Sequence, residues 1–451
     1  MGREDQADRA GADERKEDRM MQTRLSRREF LRLGGASLAG AALLGAAGCG
    51  GGGGGENAIG WQAIPSYSTE QNTDQARVEY LEQAISEWEE QNGEYTINPL
   101  VTSADVTAAM ARLLEQASQD RAPDIAQIDG YILPRFYDYV RPLDDYLGDL
   151  SLEDWFPFAR AVMTDGGSVK GLQFTTDVRV LYYRKDLIDS PPASWDELFS
   201  AGQRVSGEVQ DAFLFPAGRG EATTITTLLP QFWTLGGELV DDRGEPVFGE
   251  GENRRAMLEA LGFIRECVER GITPRRVTEF TLETDINGDA ASGQTAMFLG
   301  GNWQVSLLKE IMGEERFTRQ WGVAPIPSHS GEEHATTAGG WAWGVFAENE
   351  DKRRAAVDFL RAVFVGNQGM ARWCNVGGYL PPREPVFEVP AYETDEYTDT
   401  FREHLENFAR NRPSAESYTD ISTALQVAVT QVVSGEASPE QALRTAVRTV
   451  G

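Results

Sequence analysis

Residues 123–129 read Pro-Asp-Ile-Ala-Gln-Ile-Asp, and this short run decides the fold class. Its apolar centre predicts a buried strand. Two amphipathic helices precede it, one capped by Thr73 and stopped by Gly93 and one over residues 104–118, and each follows a predicted strand. Alternating strands and helices predict an α/β fold with a parallel sheet, in which ligands bind beyond the carboxyl ends of the strands. Asp129 falls at such an end.

Size and charge narrow the function classes. The chain has 451 residues, 41% of them hydrophobic, which is enough for one large core or two medium ones. It carries 71 acidic and 42 basic residues, a formal charge of −29, and a negative field of that size repels nucleic acid. Three cysteines and three histidines are too few and too scattered for a zinc cluster. We therefore expect no nucleic-acid partner, no metal site and no cofactor.

The N-terminus has the order of an export signal. Residues 1–25 are rich in charged side chains, and residues 26–32 read Ser-Arg-Arg-Glu-Phe-Leu-Arg. A stretch of apolar and small residues then extends to Gly48. The paired arginines resemble the twin-arginine signal, a route that carries proteins already folded. The apolar stretch is too short to span a bilayer as a helix. We predict that residues 1–48 are a signal peptide with an N-terminal extension, and that the mature protein works outside the cytoplasm.

The end of this signal resembles a lipoprotein cleavage box, because residues 46–49 read Ala-Ala-Gly-Cys. Six glycines follow at positions 50–55, and such a chain behaves as a flexible tether. We predict that Cys49 is lipidated, that residues 49–55 are the tether, and that the body is anchored to the membrane at the cell surface or in the periplasm. Plain cleavage near the same place is the alternative.

Several segments of the body together resemble the family 1 extracellular solute-binding proteins, the sugar-binding components of ABC importers. They include Gly-Gly-Asn-Trp at 300–303 and Gly-Gly-Trp-Ala-Trp at 339–343. The segments that carry the resemblance are 123–129, 171–177, 181–187, 191–198, 296–303, 321–327, 339–343 and 377–383. Most of these segments are weak signals individually. In this order, over nearly the whole mature chain and behind a lipoprotein signal, they are a strong signal together.

The resemblance implies a periplasmic-binding-protein-like type II fold, with two α/β lobes joined by a multi-strand hinge and a ligand cleft between them. The first lobe would comprise residues 56–174 and 324–346, and the second lobe residues 175–323 and 347–451. The chain would cross between the lobes near 175–177, 322–324 and 346–349.

A sugar site needs carboxylates and guanidinium groups for the hydroxyls, and aromatic rings for the flat C–H faces. Asp129 and Asp177 match family positions that accept hydroxyl hydrogen bonds, although a helix cap or a solvated turn is the alternative for each. Trp303 resembles the family's stacking aromatic, with a core plug as its alternative. Gly340 lets the backbone approach a ligand while Trp341 presents a ring.

Three further candidates complete the predicted site. Arg383 matches a family position that gives several hydrogen bonds, with a surface salt bridge as its alternative, and Tyr379 accompanies it. Glu70, just after the first strand, is the candidate acid of the first lobe, although Asn72 or Asp74 could fill that role. Trp343 lies two residues after Trp341, and core packing is the better interpretation for it.

The predicted function follows from the resemblance. We expect a monomeric binding protein, not an enzyme, that captures a sugar or oligosaccharide and delivers it to the permease subunits of an ABC transporter, whose ATPase lies on the cytoplasmic side. A binding protein for a polyamine or a peptide is the main alternative. A secreted glycoside hydrolase would also need aromatic rings and paired carboxylates in a cleft, but the sequence carries no recognisable hydrolase motif.

Overall fold

The computed structural model describes residue 55 and residues 57–451. The predicted signal peptide, Cys49 and most of the glycine tether lie outside the described residues. Among the helices of the described part, none is both long and apolar enough to cross a membrane.

Two sheets organise the described chain. The strands are β1 Ala58–Ala63, β2 Thr96–Val101, β3 Ile125–Asp129, β4 Thr164–Asp165, β5 Ser168–Val169, β6 Leu172–Thr175, β7 Arg179–Arg184, β8 Asp211–Leu214, β9 Thr295–Gly301, β10 Trp321–Ala324, β11 Thr336–Thr337, β12 Trp341–Val345 and β13 Ala409–Arg410. The first sheet has the order β2-β1-β3-β12-β6 and the second has the order β10-β7-β9-β8. β4 pairs with β5 and β11 with β13 in two short separate ladders.

The first sheet begins as the sequence predicts. β1 runs parallel to β2 and to β3, and the intervening connections are helices, as a parallel arrangement requires. β12, which comes from far along the chain, then inserts antiparallel between β3 and β6. Because both faces of this sheet are covered, its strands carry fully buried tryptophans, Trp61 and Trp343, whose ring centroids are 5.8 Å apart.

Fourteen α-helices of the described residues surround the sheets. They are α1 Gln75–Gln91, α2 Val106–Ser118, α3 Pro157–Met163, α4 Trp195–Val205, α5 Leu229–Thr234, α6 Gly251–Glu269, α7 Asn287–Ser292, α8 Gln304–Met312, α9 Glu314–Gln320, α10 Glu350–Leu360, α11 Asn367–Gly377, α12 Thr398–Asn407, α13 Tyr418–Ser434 and α14 Pro439–Val450. The sequences Ser-Trp-Asp-Glu at 194–197 and Ser-Pro-Glu-Gln at 438–441 each predict a capping box, and capping boxes open α4 at Ser194 and α14 at Ser438. For α1, the cap is Asp74 rather than the expected Thr73, because the Asp74 carboxylate accepts from the backbone N–H of Arg77.

The first two helices that follow β12, α10 and α11, pack on the first sheet, whereas we expected all of residues 347–451 in the second lobe. Trp88 of α1 donates its indole N–H to Asp358 of α10 at 3.0 Å. Phe364, between α10 and α11, lies 5.0 Å from the ring of Trp343. Phe364 therefore packs in the aromatic core of the first sheet, and the segment that carries it lies on that sheet. The chain therefore does not cross between the sheets at 346–349. It returns to the second lobe later, where the hydroxyl of Tyr397 donates to the carbonyl of Trp321 at 3.0 Å and α13 and α14 pack with α6.

The segment between β10 and β12 also differs from expectation. We placed residues 324–346 in the first lobe, but residues 325–337 remain with the second. Ser328 accepts a backbone hydrogen bond from Trp195 at 2.9 Å, and the Thr337 hydroxyl donates to the carbonyl of Ile225 at 2.7 Å. The chain therefore passes to the first sheet just before Trp341.

Two free cysteines are buried in different parts of the described chain, Cys267 in α6 and Cys374 in α11. Burial raises the pKa of both thiols. A buried, protonated thiol is a small apolar group, so these two cysteines act in packing.

His404 gives the fold a dependence on pH. It is 1% exposed in α12, its Nδ1 lies 2.6 Å from the carbonyl oxygen of Thr400, and burial lowers its pKa from 6.5 to about 4. Between these values the unfolded chain binds a proton that the folded chain does not, so acid favours unfolding. We expect His404 to reduce the free energy of unfolding by about 3 kcal/mol as the pH falls from 6.5 to 4.

Chemical denaturation at several pH values tests this expectation. His404→Gln should flatten the pH dependence between 4 and 6.5, since it removes the titrating group. His329→Gln is the matched control, because the His329 side chain is 60% exposed. An unchanged slope in His404→Gln would show that other groups cause the loss of stability in acid.

Candidate functional site

One end of the first sheet gathers residues from distant parts of the chain. Asp129 ends β3, Trp341 begins the antiparallel β12, and Thr175 ends β6. The ladders pair Trp341 with Asp129 on one side and with Thr175 on the other. Asp177 follows directly, in the short connection to β7 of the second sheet. The sheet therefore brings together three of the residues that the sequence predicts for the site.

Gly340 is required by the chain itself. Its φ is +113°, and a Cβ there would lie 2.0 Å from the carbonyl oxygen of Thr175. The Gly340 carbonyl also accepts from the backbone N–H of Gly130 at 2.9 Å. Only glycine permits this conformation and this close approach of strands. We expected Gly340 to admit a ligand, but its close neighbour is the adjacent strand end.

Aromatic rings line the same edge. Trp341 is half-buried, and its ring lies 5.5 Å from that of Tyr67 in the loop after β1. Tyr379 stacks on Tyr67 with centroids 5.3 Å apart and an interplanar angle of 16°. Trp343 is fully buried, in agreement with core packing. Tyr67 was not predicted as a site residue, although its place in the loop after the first strand was an available signal.

Asp177 lies next to an arginine of the second sheet. Its carboxylate pairs with the guanidinium of Arg179, the first residue of β7, and its side chain stays 26% exposed. Arg179 also lies 3.5 Å from the carboxylate of Glu283, so one buried cation serves two acids. Arg179 and Glu283 were not predicted, because ordinary sequence spacing does not show that they meet.

Trp303 lies beside the same arginine. The guanidinium carbon of Arg179 is 5.1 Å from the centre of the Trp303 ring. The ring also lies against Gly301, where a Cβ would come within 2.1 Å of it. These two contacts give Trp303 a packing role, and its side chain is partly buried, as that of Trp341 is.

Asp129 takes part in a second buried ion network. Its oxygens lie 3.2 and 3.4 Å from Nη2 of Arg412, whose Nη1 lies 3.3 Å from Glu221. Burial raises the pKa of Asp129, Arg412 opposes that rise, and the negative charges of Asp177 and Glu221 add to it. Arg412 and Glu221 were not predicted either, and they come from segments 191 positions apart.

The structure removes Arg383 from the site. Its side chain is 2% exposed, and its Nη1 donates to the carbonyl of Val365 at 2.7 Å and to the amide oxygen of Asn367 at 2.9 Å. Its Nη2 donates to Asp154 at 2.5 Å. The position that we expected to serve a ligand instead joins segments of the first lobe, since its outer nitrogens are already bonded to the protein.

The first-lobe acid is not identified by a contact. Glu70 is exposed, and its backbone N–H donates to the hydroxyl of Ser68 at 3.2 Å. Asn72 accepts from the backbone N–H of Asp74 at 3.0 Å, and Asp74 is occupied as the cap of α1. All three belong to the loop after β1, which also carries Tyr67.

The chemistry of this edge is that of a polar binding site. It combines partly buried rings with carboxylates, a combination that suits hydroxyl groups and C–H faces or, through the excess of acids, a cationic solute. Among the described residues there is no cluster of three His, Cys, Asp or Glu side chains able to hold a metal ion.

Comparisons with known proteins place the chain in a family. A profile described as bacterial extracellular solute-binding protein matches residues 83–400. A putative binding protein of Brucella abortus (strain 2308) is 24% identical over 381 residues, which are 81% of this chain and 88% of the relative. A probable ABC transporter-binding protein of Deinococcus radiodurans is 26% identical, over 64% of this chain and 70% of the relative.

Solved structures share the fold. The sugar-binding protein MalE from Xanthomonas citri has a TM-score of 0.72 and 23% identity, over 87% of this chain and 96% of that chain. The maltose-bound T. maritima MalE3 has a TM-score of 0.67 and 21% identity, over 87% of this chain and 98% of that chain. Both support the periplasmic-binding-protein fold of two α/β lobes. The length of the profile match settles the family, and the chain belongs to the bacterial extracellular solute-binding proteins.

Proposed function

We propose that this protein captures a sugar or oligosaccharide outside the cytoplasm and delivers it to the permease subunits of an ABC importer. The observation that carries the proposal is the meeting of Trp341, Tyr67, Asp129 and Asp177 at one edge of the first sheet, next to the second sheet. Rings beside carboxylates are what hydroxyl-rich ligands need. A maltodextrin-binding protein of Bacillus subtilis is 27% identical, over 40% of this chain and 42% of the relative.

The proposed site differs from the predicted one. It retains Asp129, Asp177, Trp341 and Tyr379, and adds Tyr67 beside them. Glu70 stays a candidate from the loop after β1, whereas Trp303 moves to a supporting position and Gly340 shapes the backbone. We assign the protein a binding role without catalysis and propose that it acts as a monomer.

A non-sugar solute is the second candidate. Four carboxylates, those of Asp129, Asp177, Glu221 and Glu283, face only two arginines in the networks around the site. An excess of negative charge beside aromatic rings also suits a polyamine. A thermal-shift panel of sugars, oligosaccharides, polyamines and peptides separates these classes. Stabilisation by saccharides supports the proposal, and stabilisation by polyamines or peptides alone contradicts it.

The aromatic platform gives a prediction for ligand affinity. Trp341→Ala should weaken binding of the best saccharide by roughly thirtyfold, because it removes a ring worth on the order of 2 kcal/mol at an interface. Trp341→Phe should retain part of the affinity, since it keeps a ring. Calorimetric titration supplies the affinities, and the unfolding midpoint of each variant controls for lost packing against Tyr67.

The carboxylate of Asp177 gives a second prediction. Asp177→Asn keeps the shape but replaces an acceptor oxygen with a donor, so we expect a loss of about 1–3 kcal/mol in binding. Stability should change less, because Arg179 keeps Glu283 at 3.5 Å. Asp186→Asn is the matched control, since Asp186 also pairs with an arginine, Arg184, but its side chain is 45% exposed. If Asp177→Asn binds the saccharide as tightly as the control and the parent do, the site lies elsewhere.

We also propose the twin-arginine route and a lipid anchor at Cys49, on the sequence of residues 26–49 alone. Cys49→Ala should release the protein from membranes, because a thioether-linked lipid requires that cysteine. Fractionation followed by a carbonate wash measures this. Retention of the variant in the membrane pellet would contradict the anchor and leave plain cleavage near Cys49 as the better interpretation.

A further inference from the structure

Residues 411–418, which we call the latch segment, belong to the second lobe at both ends. The segment follows β13, which pairs with β11, and leads into α13, which packs on α6. Within it, the hydroxyl of Ser417 donates to the carbonyl of Gly244 at 2.8 Å. The hydroxyl of Tyr418 donates to the carboxylate of Glu221. The segment is therefore fixed to the second lobe independently of the first.

The centre of the latch segment nevertheless contacts the first lobe. Arg412 approaches Asp129 through Nη2 at 3.2 Å, and its guanidinium carbon lies 3.9 Å from the centre of the Tyr131 ring. Its other terminal nitrogen, Nη1, lies 3.3 Å from Glu221 of the second lobe. The Arg412 side chain is only 12% exposed. One buried guanidinium thus joins a carboxylate from each lobe.

Two neighbouring contacts cross between the lobes in the same way. The amide nitrogen of Asn411 donates to the carbonyl of Phe158, in α3 of the first lobe, at 2.6 Å. The ring of Tyr418 meets that of Tyr131 edge-on, with centroids 5.5 Å apart. Tyr131 therefore lies between Arg412 and Tyr418, and the first lobe contacts three side chains of one short segment.

We propose that the latch segment, with Arg412 as its central residue, holds the two lobes together and so sets how tightly the site retains its solute. Separation of the lobes would take Arg412 away from Asp129 and Tyr131, and would break a charge pair that is shielded from water while the lobes are in contact. Every contact is between protein groups, so the latch acts with or without solute. The consequence for affinity rests on the proposed function, because a larger closed population raises the apparent affinity of a ligand that both lobes touch.

Arg412 could instead matter only as a donor to the solute. The two roles predict different behaviour in solution without any ligand. A latch controls the separation of the lobes at all times, whereas a donor has an effect only when the solute is bound. The separation of the lobes in the absence of solute is therefore the measurement that decides between them.

Small-angle scattering of the full chain, without added solute, makes that measurement. Arg412→Met keeps the apolar stem but removes the charge, and we expect a larger radius of gyration than in the parent. Arg410→Met is the matched control. Like Arg412, Arg410 contacts a carboxylate and an aromatic ring, those of Glu238 at 2.6 Å and Trp233 at 5.0 Å. Both of these partners, however, lie in the second lobe. The control should keep the radius of the parent.

Variants on the other side of the contact and a conservative variant sharpen the test. Tyr131→Leu removes the first-lobe ring and should expand the chain in the same direction as Arg412→Met. Arg412→Lys keeps the charge but cannot bridge Asp129 and Glu221 with a fork, so it should lie between the parent and the methionine variant. Unfolding midpoints show whether each variant remains folded.

Affinity provides the second readout. For the saccharide that stabilises the parent best in the panel, Arg412→Met should bind about tenfold more weakly or worse, mainly through faster dissociation, as expected when a buried charge pair across an interface is broken. Arg410→Met should bind like the parent.

The outcomes separate the latch from the proposed function. An unchanged radius of gyration in Arg412→Met overturns the latch, even if its affinity falls, and so does an equal expansion in Arg410→Met. If no saccharide binds the parent, the proposed function fails, while the scattering comparison still decides the latch.

Discussion

The site depends on the insertion of β12 between β3 and β6. Without this strand, the ends of β3 and β6 would not be joined, and the connection to the second sheet would begin at an unsupported edge. The insertion is possible because Gly340 has no side chain: a Cβ at this position would lie 2.0 Å from the carbonyl of Thr175. A backbone constraint at one glycine thus fixes where Trp341 presents its ring and where Asp177 leaves the sheet.

The sequence predicts local structure well and remote packing poorly. Strands β1 to β3 and the capping boxes at Ser194 and Ser438 follow from patterns within a few residues, where periodicity and capping chemistry act. The packing of α10 on the first sheet could not be predicted this way, because it depends on Trp88 meeting Asp358 and on Phe364 reaching the core around Trp343. These contacts join segments far apart in the chain, and no local pattern encodes them.

The same difference between local patterns and remote contacts explains which site residues could be predicted. Asp129, Asp177 and Trp341 were predicted through their motifs. The ladders pair Trp341 with Asp129 and with Thr175, and Asp177 lies in the connection that follows Thr175. Their charged partners, Arg412 and Arg179, were not predicted, because only the folded chain brings these arginines within hydrogen-bond distance of the acids. An arginine in a sequence gives no sign of whether its hydrogen bonds go to solvent, to solute or to the protein, and Arg383 was assigned to the wrong one of these.

A count of donors and acceptors shows why pairing excludes Arg383 but not the aspartates. Arg383 is 2% exposed, and its terminal nitrogens already bond to Val365, Asn367 and Asp154, so little remains for a solute. A carboxylate, in contrast, offers about four lone-pair sites. Asp177 uses one oxygen for Arg179 and stays 26% exposed, which leaves its second oxygen free to accept from a hydroxyl. The arginine also keeps that carboxylate in one orientation, so in the proposed site the ion pair would prepare the acceptor for a solute.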